Sequence, residues 1–337
     1  MLPTTYSLHN RVLTLLASIS HKLGEVKAAH LERPSPLLQK AYRVSSVHAT
    51  VAVDGNPLAP KPVADLLVDH HHAPEPTAIE VANTNHVLDL LPSFDPYLAQ
   101  DFRRAHSELM HNLALDAGTY RTGPVEVMYG EHYASRQAPA DNLASQVEEL
   151  LHFTENDEAP MLITSCVLHY GIVYLRPFSA GNSRMARLWQ RRALTTHWPV
   201  FNFLPVEAFI LKTEPAYHAA LEYADRQGDC GGFITYMMEQ IDEALNELLA
   251  AQRPVLSAQD RLQLFLDEKR LARFTRKDYR KMFPELSTAT ASRDLAEAVR
   301  TASLELLGSG RTAVYQTRDR VERGSHHSPL GNTQRRL

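Results

Sequence analysis

The chain has 337 residues, 44% of them apolar, two cysteines and a net charge of −4. Such a chain can bury ordinary cores for about two domains, and two cysteines exclude a disulfide framework. No run reaches the roughly 18 consecutive apolar residues of a membrane span. Residues Met1 to Tyr6 lack the basic start and apolar block of a secretory signal, so a cytoplasmic protein with no membrane partner is expected. Charge is uneven. Residues 254–337 carry 16 Lys and Arg against 10 Asp and Glu, and residues 1–253 carry 19 against 29. A basic end on an acidic body suits a polyanion contact, and a solvated surface accounts for the same counts.

In chain order, residues 7–34 read as a helix, with Val12, Leu13, Leu15, Leu16, Ile19, Leu23 and Val26 at helical period. A second helix covers 36–54 and ends at Asp54-Gly55-Asn56-Pro57, a stop signal. A short helix fits 61–72, where His70-His71-His72 reads as a polar helix end, because three adjacent residues cannot all face one metal from one helix. Helical patterns follow at 76–92, 96–115, 141–156, 161–174, 183–197, 214–226 and 229–252. Cys166 lies in an apolar stretch and reads as a small core residue. Between 118 and 135, Gly118, Gly123, Pro124 and Gly130 punctuate the β-prone piece Val125-Glu126-Val127-Met128-Tyr129, which predicts a short hairpin. Gln252-Arg253-Pro254 breaks the pattern and marks a domain boundary. Beyond it, helix, turn, helix and a β-wing over Gly308 to Tyr315 resemble a winged helix-turn-helix. From Thr317 onward no apolar periodicity is present, and a disordered tail is expected.

The stretch Arg176-Pro177-Phe178-Ser179-Ala180-Gly181-Asn182-Ser183-Arg184-Met185-Ala186-Arg187 carries the chemistry. Gly181 can adopt dihedrals closed to other residues. Free N–H groups at the helix start bind anions. Arg184 and Arg187, one turn apart, would face the same side, and guanidinium forks match phosphate oxygens. The pattern reads as a di- or triphosphate cradle; a surface helix with two arginines has the same spelling.

In register, Pro177, Phe178, Gly181, Asn182, Arg184 and Arg187 match the nucleotide-phosphate loop of Fic-family AMP-transferases, His-Pro-Phe-x-Asp/Glu-Gly-Asn-Gly-Arg-x-x-Arg. Gly118-Thr119-Tyr120-Arg121 resembles the hairpin flap of that family, and the resemblance covers about residues 35–316. It implies an all-α Fic fold with a small β-hairpin flap, plus a C-terminal winged helix-turn-helix. The expected domains are a helical region at 1–95, a Fic core at 96–252, a winged helix at 253–316 and a tail at 317–337. It implies that Gly181, Asn182, Ser183, Arg184 and Arg187 bind the phosphates of ATP or another nucleotide. The loop histidine of the family would be the base that activates a target hydroxyl, and the acidic residue would hold Mg²⁺.

Three positions depart. Arg176 stands at the histidine position and keeps its proton, so it is not expected to be catalytic; it either adds charge to the anion site or forms an ion pair. Ala180 stands where the Mg²⁺ ligand belongs, so neither Mg²⁺ nor another metal is expected. Ser183 replaces a glycine. The expectation is a pseudoenzyme with impaired protein AMPylation and a regulatory or binding role. Two alternatives stay open: an active adenylyltransferase with another base, such as His169 or His132, and a DNA-binding regulator with the Fic fold as sensor or dimer scaffold. Thr50-Val51-Ala52-Val53-Asp54-Gly55 is similar to the inhibitory motif of the family, which would place Thr50, Asp54 and Gly55 against Arg187; an ordinary helix end has the same letters. In residues 253–316, Arg293, Arg300 and Arg311 are candidate DNA contacts, opposed by Asp294, Glu297 and Glu305. The other expected partners are a target protein and a second copy in a homodimer.

Overall fold

A computed structural model describes residues 4–68, 75–129, 132–252, 257–269, 271, 273–283, 286–308 and 313–317. The chain divides into two units, Met1–Arg253 and Pro254–Leu337. The first unit runs α1 (Asn10–Ala28), α2 (Pro36–Ala52), α3 (Pro60–Val68), α4 (Pro76–Leu90), α5 (Ala99–Leu109), β1 (Val125–Tyr129), β2 (His132–Ala138), α6 (Leu143–Asn156), α7 (Met161–Leu175), α8 (Asn182–Thr195), α9 (Val206–Lys212), α10 (Glu214–Gln227) and α11 (Gly231–Gln252). The expected all-α architecture is the observed one, with β1 and β2 forming the hairpin. None of the described helices is long and apolar enough to cross a membrane.

Local signals account for the helix boundaries that matter. Ser35 caps α2 by accepting from the Leu38 N–H, and Pro36 supplies a preset φ at the first turn. Helix α7 is apolar on every side, and all its residues but Met161 and Tyr174 are buried; a helix of that kind belongs in the centre of a core. It packs on α6, α8 and α11, while α1 lies along α11. Cys166 is fully buried in α7, as the apolar stretch implied. The hairpin register shifts between Glu126 and Met128, a bulge that twists the ribbon.

Some elements differ from the expected spans. The helix expected over 96–115 is α5, which ends at Leu109, because Asn112 takes a left-handed φ of 58° and turns the chain. Helix α3 stops at Val68, and His70-His71-His72 lie outside the described residues. Two-turn α9 leaves too short a pattern for periodicity to register.

The second unit runs α12 (Ala258–Lys269), β3 (Arg273–Phe274), α13 (Arg276–Met282), α14 (Thr288–Arg300), β4 (Leu304–Leu307) and β5 (Val314–Thr317). Its antiparallel sheet has the order β3-β5-β4. Leu262, Phe265, Phe274, Tyr279, Leu295 and Leu304 form a core of their own. The tail from residue 318 lies outside the described residues.

Candidate functional site

Helix α8 carries arginines at 184, 187 and 191, and α2 carries Ser46, Thr50 and, two residues past its end, Asp54. At spacings of three and four residues each set lies along one helix face. The two sets meet rung by rung. Arg191 Nη2 donates to Ser46 Oγ at 2.8 Å and pairs with Glu207 of α9 at 2.6 Å. Arg187 Nε donates to Thr50 Oγ1 at 3.0 Å, and its Nη2 donates to the Thr50 carbonyl and to Asp54 Oδ1, both at 2.8 Å. Arg184 Nε donates to Asp54 Oδ2 at 3.1 Å, and its Nη2 approaches Glu80 of α4 at 3.3 Å. Two cations thus converge on one carboxylate, with Glu80 as a second.

This cluster is nearly sealed. Arg184 is 5% and Arg187 2% exposed. Burial alone would lower the Arg187 pKa; the Asp54 charge and the Tyr217 hydroxyl more than offset it, so the net shift is upward and the guanidinium stays charged. The Nη1 atoms of Arg184 and Arg187 are nevertheless buried with no acceptor among the described residues. Buried donors are normally matched, and either a water or an anion would match these.

The loop before α8 is braced by groups whose roles are tightly fixed. Gly181 has φ 73°, and a Cβ there would lie 2.7 Å from Met110 Sδ, so no other residue fits without strain. Asn182 Oδ1 accepts from the Phe178 N–H at 3.0 Å while its Nδ2 donates to the Phe178 carbonyl at 2.8 Å, closing the turn on itself. The N-terminus of α8 has no side-chain cap, which leaves the first-turn amides of Asn182, Ser183 and Arg184 without an intrahelical acceptor. Arg121 binds only carbonyls: Nε to Arg176 at 2.6 Å, and Nη2 to Leu175 at 3.0 Å and Pro139 at 2.8 Å. Its guanidinium thereby caps the negative end of α7 and ties the hairpin to the loop.

His106 of α5 completes the brace. Its ring stacks on Phe178 with centroids 3.5 Å apart. Nδ1 accepts from the Gly118 N–H at 2.9 Å, so the proton sits on Nε2, which donates to the Ala180 carbonyl at 3.0 Å. Burial pushes its pKa down to about 4 against the opposing pull of the Ala180 carbonyl, so the ring is neutral near pH 7.

The sequence model described as Fic/DOC family matches residues 96–194, from just before α5 to the last turn of α8. A Fic family protein from Desulfovibrio desulfuricans G20 has a solved structure that superposes with a TM-score of 0.70 at 25% identity, over 95% of this chain and 99% of that one. Residues 96–194 carry a Fic/DOC-family domain. Protein adenylyltransferase fic-1 from Caenorhabditis elegans is 25% identical over 243 residues, which is 66% of this chain. The chain spans 45% of the length of that curated relative. The solved Fic-1 structure from C. elegans shares the fold at 19% identity, with a TM-score of 0.57 over 72% of this chain and 73% of that one.

Within the Fic loop, Arg176 caps the C-terminus of α7 with φ 45° and ψ 61°, a left-handed conformation unusual for a side chain of its size. A guanidinium at that point cannot take up a proton. Ala180 turns only a methyl group toward solvent, and a methyl group cannot ligate a metal ion. His169, the alternative base, is fully buried; Nδ1 lies 2.7 Å from Gln190 Oε1 and Nε2 2.8 Å from the Tyr217 hydroxyl. Burial lowers its pKa to about 3, and it has no open path to a substrate hydroxyl. The side chain of His132, on β2, lies outside the described residues. Of the inhibitory-motif residues, Thr50 and Asp54 touch Arg187, and Gly55, with φ 91°, lets the chain turn away after them. Glu80, His106 and Arg191 were not among the expected site residues. The signal for Arg191 was its one-turn spacing from Arg187; Glu80 and His106 reach the site only through tertiary packing.

In the C-terminal unit, Arg293 is exposed on α14, Arg300 is paired to Glu297 at 2.8 and 2.5 Å, and Arg311 lies outside the described residues.

Proposed function

We propose that this Fic protein binds the phosphates of ATP or a related nucleotide at the start of α8, holds that site closed with its own Asp54, and transfers AMP to proteins weakly or not at all. One observation carries the reading: Arg184 and Arg187 converge on the single Asp54 carboxylate while each keeps one buried donor unmatched. Two guanidinium groups and the uncapped start of a helix make an anion site, and a carboxylate lodged there mimics a phosphate. When Asp54 leaves, Arg184, Arg187 and the α8 amides would receive the phosphate oxygens. The likeness to a protein named as an adenylyltransferase supports the nucleotide as ligand.

Weak transfer follows from chemistry. A target hydroxyl must lose its proton to attack the α-phosphate, and Arg176 cannot accept it. Loss of a general base alone lowers rate by roughly 10²–10⁴-fold. Such a protein acts as a binding or regulatory module, whose closed and open forms differ in whether Asp54 or a nucleotide fills the arginines.

Incubation with ATP labelled in its α-phosphate tests this. The wild type and Asp54→Gly are expected to leave the protein unlabelled. Arg176→His with Ala180→Asp, added to Asp54→Gly, is expected to produce label on this chain or on lysate proteins. Strong labelling by the wild type would overturn the proposal.

A further inference from the structure

The unit from α12 to β5 holds a basic surface of its own. Thr275 and Asp278 form a capping box at the start of α13, and Ser287 caps α14 by accepting from the Thr290 N–H. Both helix starts are therefore fixed, and the two helices pack on each other. Arginines on α13 reach across to the first turns of α14. Arg276 Nη1 donates to Ser292 Oγ at 2.7 Å, and Arg280 Nη1 donates to Thr288 Oγ1 at 2.9 Å. Lys277 and Lys281 sit beside them on α13, and Arg293 projects from α14; all three are exposed. Five cations thus border the N-terminal half of α14.

Glu305 is exposed on β4, but three other acidic residues that would oppose a polyanion are turned to other tasks. Asp294 is 6% exposed and faces inward, where Arg261 binds it at 2.8 and 2.7 Å and the Tyr279 hydroxyl at 3.3 Å. Glu297 is paired to Arg300, nearer the far end of α14. Asp278 is spent on the Thr275 cap, with Lys281 3.8 Å away. The outer face of α14 shows Ala289, Arg293 and Ala296, small enough for close approach and without an aromatic anchor of the kind that dominates protein–protein contacts.

We infer that this unit binds duplex DNA, with α14 entering the major groove and α13 lying along the phosphate backbone. In helix-turn-helix docking, the second helix presents its N-terminal residues to base edges while the first crosses the backbone. Lys277, Lys281, Arg276 and Arg280 are the phosphate contacts, and Arg293 is the base contact, suited to the O6 and N7 of guanine. Arg300, engaged by Glu297, is a lesser contributor. The hairpin of β4 and β5 stands next in the chain and supplies a wing.

Fluorescence anisotropy of the full chain with a labelled random duplex of about 20 base pairs reads this directly. Four phosphate contacts predict roughly 100-fold weaker binding at 200 than at 50 mM salt. Lys277→Ala with Lys281→Ala should cut the salt slope by about 2 and the affinity at 50 mM about tenfold. Arg293→Ala, on an exposed position, should keep general binding and lose about tenfold or more of the preference for duplexes enriched from a random pool. No binding at 50 mM salt, a double lysine variant equal to wild type, or equally tight binding of single-stranded RNA of the same length would overturn the inference.

Discussion

At the scale of single residues, the site depends on which groups are charged and which are kept neutral. Asp54, with its side chain 19% exposed, sits between Arg184 and Arg187 at 6% and 1%, so its carboxylate satisfies cations that water does not reach. His106 is the opposite case, a neutral ring whose Nδ1 must stay unprotonated to accept from Gly118. Its folded pKa of about 4 lies below the ordinary histidine value. The stabilisation it gives is therefore complete above pH ~6.5 and is lost as pH falls through about 4; His169, at about 3, adds to the same trend. Urea unfolding should show stability falling steeply from pH 7 to 4.5, with His106→Gln less stable by about 2 kcal/mol at pH 7 and less sensitive to pH. Equal pH dependence in both proteins would contradict this assignment. Arg184, Arg187, Thr50 and Asp54 were legible because short motifs spell them. His106 and Glu80 were not, since their partners lie 74 and 104 residues away and no local pattern encodes such a distance.

At the scale of elements, α2 and α8 form a polar ladder inside an apolar bundle, and the loop before α8 sets its alignment. Ser46, Thr50 and Asp54 recur every four residues, and the neighbouring Val47 and Val51 are buried in the core. The helical period of α2 was readable, but which polar stripe would face α8 was not, because that depends on helix packing. Helix ends were less legible than helix cores: α5 ends six residues short of its expected span at Asn112, and α9 was absent from the reading. The turn at Gly181 was legible, and its tight contact with Met110 was not. Gly181→Ala places a methyl group against Met110 at a positive φ, and should lower unfolding free energy by about 2 kcal/mol and weaken nucleotide binding. Urea denaturation with unchanged midpoint would contradict the close approach.

At the scale of the molecule, the break at residues 253–254 separates an acidic unit that holds the arginine ladder from a basic unit with its own core. In the sequence, the Gln252-Arg253-Pro254 interruption predicts a domain boundary. What composition could not convey is that Asp54 sits between two arginines of the same unit. Removing Asp54 leaves buried Arg187 without its carboxylate and Arg184 with Glu80 alone, so Asp54→Gly should be destabilised by about 3 kcal/mol without ligand and rescued by saturating ATP. Titration calorimetry of the full chain with ATP decides the matter most directly. Asp54→Gly should bind at least tenfold more tightly than the wild type, and adding Arg187→Ala should abolish the gain. Equal affinity of wild type and Asp54→Gly would contradict a carboxylate that closes the site.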